Sequence, residues 1–142
     1  MKQRTVLSTL PSDSHSWNLV YLQLLLEELG HEVINAGTCV PIDVLIQKCH
    51  QYKPNNLVIS SVNGHGHLDG VSLMRAIRKY PMLKDIRVVI GGKLGTEGCD
   101  SKSYAEKLLK EGFDAVFSEK EIPEFMELMT ESLENNIQKI AL

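Results

Sequence analysis

Three stretches of this chain, residues 4–10, 56–62 and 86–90, carry consecutive apolar residues (Val6-Leu7, Leu57-Val58-Ile59 and Val88-Val89-Ile90) without strict polar alternation, and each is shorter than an ordinary helix. A strand that meets water on one face alternates polar and apolar residues. Runs without that alternation belong to strands covered on both faces, as in a parallel sheet packed between two layers of helices. That condition limits the possible architecture more than any other feature of the sequence.

The rest of the chain fits this reading. Strands are expected at 4–10, 32–36, 56–62, 86–90 and 114–117, and helices at 16–29, 41–52, 68–80, 101–111 and 122–140. Gly30 and Gly112 stand where a helix would close, and Pro41 stands in a first turn, where its missing N–H costs nothing. In the helix at 68–80, Val71, Leu73, Met74 and Ile77 are the inward candidates. Five strands alternating with five helices through short connections, and right-handed crossovers, give an α/β doubly wound sheet. With no dinucleotide fingerprint present, the flavodoxin-like (Rossmann-like) order 2-1-3-4-5 is expected, with helices on both faces. The chain is expected to form a single domain over 1–142, without internal repeats or a linker.

A domain of this length buries roughly two-thirds of its unfolded surface and needs no disulfides to fold. Cys39, Cys49 and Cys99 are widely spaced, without a C-x-x-C pair, and read as reduced thiols. The net charge of −3 and the scattered Lys and Arg argue against nucleic acid as a partner. The apolar stretch behind Met1-Lys2-Gln3-Arg4 is too short for a signal peptide or a membrane span, so a cytoplasmic protein is expected.

In this topology ligands bind beyond the carboxyl ends of the strands, where the strand order reverses, between strands one and three. Three unusual loops converge there. Asp13-Ser14-His15 follows strand one, Ser60-Ser61-Val62-Asn63-Gly64-His65-Gly66 ends strand three, and Gly91-Gly92 ends strand four. The helix at 16–29 carries Trp17, Leu19, Val20, Tyr21, Leu22, Leu24, Leu25 and Leu26, more than one apolar stripe. Either it packs deeply, or one face lines a ligand cleft or meets another subunit.

His15 is open to three readings: metal ligand, general base or structural histidine. Asp13 favours a presented imidazole, because a carboxylate accepting the Nδ1 proton fixes the tautomer and raises the basicity of Nε2. One histidine cannot hold a free zinc ion, but it suffices as the axial ligand of a metal already held by a macrocycle. His65 and His67 form H-x-H and, with His15, offer a weaker three-nitrogen zinc alternative. Ser60 and Ser61 can bond backbone or a bound heterocycle. Gly91-Gly92, widened by Gly95 and Gly98, can be turn chemistry or room for a flat ligand. No nucleophile elbow, phosphate loop or receiver-type phosphorylatable Asp after strand three is present.

These residues resemble the cobalamin-binding domains. Asp13-Ser14-His15-Ser16-Trp17-Asn18 is similar to their D-x-H-x-x-G element, with Asn18 in the glycine position. Ser60-Ser61-Val62 is similar to S-x-L with Val62 for leucine, and Gly91-Gly92 to G-G. The match spans nearly the whole chain. The strings around His15 and around Gly64 resemble the small (S or sigma) subunit of glutamate mutase (methylaspartate mutase), a cobalamin-dependent isomerase.

The resemblance implies adenosylcobalamin, a cobalt corrinoid, bound base-off. Its nucleotide tail would lie between the sheet and the first helix, and His15 would be the lower cobalt ligand, held by Asp13. It implies that Ser60 bonds the buried base and that Gly91 and Gly92 let the tail approach strand four. Ser14, Ser16, Trp17, Asn18, Ser61, Val62 and Gly64 would complete the cofactor-binding set. It implies no catalytic residue on this chain. Radical carbon-skeleton chemistry would run on a separate large barrel subunit, so this chain alone would be inactive. The alternatives are a stand-alone cobalamin carrier or sensor, and a flavodoxin-like domain that binds no corrinoid.

Overall fold

The computed structural model describes residues 3–9, 16–61, 66–92, 101–118 and 120–130. Five parallel strands, β1 (Arg4–Thr9), β2 (Glu32–Gly37), β3 (Asn56–Ser61), β4 (Arg87–Gly92) and β5 (Ala115–Phe117), form one sheet in the order β2-β1-β3-β4-β5. Between and after them run α1 (Ser16–Glu28), α2 (Ile42–Tyr52), α3 (Gly66–Ile77), α4 (Ser101–Glu111) and α5 (Ile122–Thr130). The expected class and strand order are those observed.

Alternation along the strands separates two cores. Val6, Leu57, Ile59, Val88 and Ile90 face α2, α3 and α4, where they meet Leu45, Leu73 and Leu108. Leu7, Val58 and Val89 face α1 and α5, where they meet Leu19, Leu26, Phe125 and Met129. Burying side chains of this size stabilises the fold by about 1.5–3 kcal/mol each. Val71, Leu73, Met74 and Ile77 are all buried, as the spacing in α3 requires.

Helix ends follow local chemistry. Gly30, at φ +93°, closes α1: its N–H donates to the Glu27 carbonyl and the His31 N–H to that of Leu26. The helix expected to run to residue 80 stops at Ile77, and a short 3₁₀ turn, Pro81–Leu83, follows. Pro81 disfavours helical backbone at Tyr80, which is extended at φ −116°, ψ 98°. Pro41 caps α2 rather than entering it, and Lys53 ends that helix in the left-handed region at φ 47°. Residues 131–140, expected as the end of the last helix, lie outside the described residues. Cys39 is exposed and Cys49 buried, both as free thiols; burial pushes the Cys49 thiol up to about 11.

A polar chain crosses the sheet on the α1/α5 side, at the amino ends of the strands. The Arg87 Nε–H donates to Asn56 Oδ1 (2.8 Å), and Asn56 Nδ2–H donates to Thr5 Oγ1 (3.2 Å). Thr5 Oγ1 and His31 Nδ1 are 2.8 Å apart, and His31 Nε2 lies 2.7 Å from the Met129 carbonyl. The carbonyl can only accept, so Nε2 carries the proton and Thr5 donates to Nδ1. The chain thus fastens the far end of α5 to three strands.

Candidate functional site

The strand register brings the carboxyl ends of the sheet into one row. Thr9 pairs with Ser60, Ser60 with Gly91, and Gly91 with Phe117. Above this row a cleft of about 260 Å³ opens between α1 and α5. Val58 and Ser60 of β3, Val89 and Gly91 of β4, and Phe117 of β5 form its floor. Tyr21 and Leu22 of α1 form one wall, and Ile122 and Phe125 of α5 the other, with Ser118 nearby. Phe117 and Phe125 meet edge to face, with centroids 5.7 Å apart at 82°. That arrangement fixes both rings at the β5–α5 corner.

Ser60 shares the cleft face with Val58 because strand residues alternate. It is buried, and it is the polar side chain of the floor. Ser61 points the other way by the same rule; it is buried and does not line the cleft. Gly92 has a reason of its own. Its φ is +109°, and a Cβ there would run into the Ser61 backbone carbonyl, so only glycine fits. A Cβ on Gly91 would stand 3.3 Å from the Phe117 carbonyl oxygen, narrowing the floor at the β4–β5 seam.

Helix α1 resolves its own ambiguity. Leu19, Leu25 and Leu26 are buried, whereas Val20 and Leu24 are exposed and Tyr21 and Leu22 line the cleft. It is not a deeply packed helix; one flank belongs to a cleft. Asp13, Ser14, His15, Val62 and Gly64 lie outside the described residues, as do Gly95 and Gly98. Ser16, Trp17 and Asn18 form the first turn of α1, with their side chains outside the description. Of the histidines behind the zinc alternative, His15 and His65 lie outside the described residues, as does the side chain of His67; among the described residues no cluster of three metal-ligating side chains occurs. Nor does any helix there have the length and apolarity to cross a membrane.

The expected set missed the second wall. Phe117, Ile122 and Phe125 were legible only through topology: β5 also ends on the ligand rim, so its last residue and the helix after it belong to the site.

The model of the B12 binding domain matches residues 3–126. The chain belongs to the B12-binding domain family. It is 31% identical over 117 residues to the glutamate mutase sigma subunit of Fusobacterium nucleatum, covering 82% of this chain and 85% of that one. The monomethylamine corrinoid protein of Methanosarcina barkeri superposes with a TM-score of 0.70 at 15% identity, over 89% of this chain and 56% of that one. The receiver domain of a Pseudomonas aeruginosa sensor histidine kinase superposes with a TM-score of 0.64 at 14% identity, over 93% of this chain and all of that one. The two superpositions speak for the fold alone, since one architecture hosts different chemistries. The family model and the sigma relative make this a cobalamin-binding domain related to the small subunits of glutamate mutase.

Proposed function

We propose that this chain is the cofactor-carrying subunit of an adenosylcobalamin-dependent carbon-skeleton mutase of the glutamate mutase type. It acts with a separate barrel-type catalytic subunit that holds the substrate, in the cytoplasm. One observation supports the reading above others: the cleft between α1 and α5, floored by Ser60 and Gly91, in a chain of the B12-binding family. Its apolar and aromatic lining, with one hydroxyl on the floor, suits a planar heteroaromatic base freed from cobalt.

In this reading the cleft would hold the nucleotide tail, with the Ser60 hydroxyl placed to donate to its ring nitrogen. His15 would hold the cobalt through Nε2, and Asp13 would accept its Nδ1 proton, holding the ring and its tautomer. Asn18 and Trp17 begin α1 beside the tail, and Ser14, Ser16, Val62 and Gly64 complete the rim. When bound, adenosylcobalamin would supply the carbon radical that starts the rearrangement; the protein would supply orientation and a ligand to the metal.

The test is spectroscopic. The full chain mixed with hydroxocobalamin is expected to give a base-off, histidine-on absorption spectrum, and His15→Ala to lose it. The same spectrum in the His15→Ala protein removes His15 from the cobalt.

A further inference from the structure

We infer that α5 is a releasable wall, latched at its far end by His31 and freed by acid. The latch sits at the amino ends of the strands, at the opposite pole from the cleft rim, and holds α5 whatever the cleft accepts. Helix α5 is held lightly. It has nine residues, of which Phe125 and Met129 are buried. Phe125 packs on Phe117 at the cleft end. At the other end the fastening is polar: the His31 Nε2–H donates to the Met129 carbonyl at 2.7 Å, and Arg87 Nη2 lies 4.0 Å from the Met129 sulfur. So short a helix is marginal without tertiary contacts, and a unit with few buried side chains opens before the molecule unfolds as a whole.

His31 cannot follow α5 outwards. Its N–H donates to the Leu26 carbonyl at 3.0 Å, and the Glu32 N–H to the Gln3 carbonyl at 2.8 Å, where β2 joins β1. The ring is therefore held by backbone on both sides, with Nδ1 accepting from Thr5 at 2.8 Å. A second ring proton turns both nitrogens into donors. The Nδ1–H then faces a hydroxyl that already accepts from Asn56, and the new charge lies on a residue only 3% exposed. A charge in such a place needs water or an anion, and the group that stands over Nε2 is the last turn of α5. The ring stays and the helix end moves, which loosens the wall that Ile122 and Phe125 give the cleft.

Among the described residues, the charged groups of the elements packed around the ring do not supply that anion. Arg87 of β4 adds a positive charge, linked to the ring through Asn56 and Thr5. Glu32 of β2 pairs with Arg4 of β1 at 3.1 Å. Glu27 and Glu28 of α1 and Glu127 of α5 are exposed. Strand β3 presents the uncharged Asn56. Burial opposes the charged ring most strongly, so the latched form takes up a proton less readily than a ring in water. The latch is thus complete above about pH 6.5, and below it the released form gains up to about tenfold per pH unit.

Hydrogen exchange of the full chain, resolved by element and corrected for the intrinsic rate at each pH, tests this between about pH 7.5 and 5.5, on either side of the free imidazole value. The amides of α5 are expected to be less protected than those of β3. Their opening constant is expected to be insensitive to low urea and to rise up to about tenfold per unit below pH 6.5. Equal protection of α5 and β3 at every pH shows that α5 opens only with the whole molecule, and overturns the proposal. So does α5 protection that stays constant across this range. In His31→Gln, an uncharged side chain able to donate to the Met129 carbonyl and accept from Thr5, the pH dependence of α5 is expected to vanish. Its persistence at wild-type size assigns the effect to another group and overturns the latch. If that variant does not fold, the wild-type comparison of α5 with β3 decides alone.

Discussion

His31 is held between the Thr5 hydroxyl and the Met129 carbonyl, 3% exposed. Burial holds its imidazole below the ordinary value of 6.5; the Met129 carbonyl opposes that effect and the Arg87 guanidinium adds to it. The neutral ring both accepts and donates, so protonation would leave Thr5 facing a second donor. Because the folded value is depressed, the unfolded chain binds the extra proton first as pH falls. The stability His31 contributes is therefore complete above about 6.5 and is lost on acidification below it. Urea unfolding between pH 7.5 and 5.5 should show a slope of up to about 1.4 kcal/mol per pH unit from this group. In His31→Gln that part of the slope should vanish. Equal slopes in the two proteins would show that His31 does not titrate with unfolding.

At the scale of elements, Gly30 and Gly92 separate two kinds of glycine requirement. Both have positive φ, but nothing lies within 4 Å of a Cβ added at Gly30, whereas one at Gly92 strikes the Ser61 backbone. Gly30→Ala should cost about 1–2 kcal/mol, the strain of left-handed backbone alone. Gly92→Ala should cost clearly more, about 3 kcal/mol or above, because β3 and β4 must separate. Thermal and urea melts of the two variants check this, and equal losses would refute the steric account. The elements themselves were largely legible. A strand buried on both faces has no side that must be polar, so the consecutive apolar residues Val6-Leu7, Leu57-Val58-Ile59 and Val88-Val89-Ile90 marked β1, β3 and β4, and their order followed from the crossover rule. The left-handed turn at Lys53 and the 3₁₀ turn at Pro81–Leu83 were not legible, because the prolines beside them, Pro54 and Pro81, mark a break in the helix without fixing the form the turn takes. In the site, Ser60, Gly91 and Gly92 could be placed on one rim from loop chemistry. Ile122 and Phe125 could not, and Tyr21 only as one option for the first helix, because apolar residues on a helix announce burial without naming what they face.

For the whole molecule, the cleft belongs to no single element. It takes α1 from the beginning of the sheet and β5 and α5 from its end, so the tail would span both halves of the fold. The same geometry leaves Val20 and Leu24 on the outer face of α1 in water. If the chain carries the cofactor for a mutase, the protein loaded with adenosylcobalamin should turn over no substrate alone. Added to the catalytic subunit of a glutamate mutase, it should release activity in proportion to the amount supplied. Turnover by the loaded chain without any partner would contradict the assignment.

The strand order also dictates a timetable. Once β1 and β2 have paired, each later strand joins the same growing side, so the order of emergence from the ribosome is the order of accretion: β3, then β4, then β5. The second wall of the cleft, α5, is the last of these elements to be made. A nascent chain released before α5 emerges would carry most of the apolar interior yet have nowhere to seat a heterocycle. If the cleft seats the cofactor, its supply would then protect the finished protein from unfolding and do nothing for the precursors.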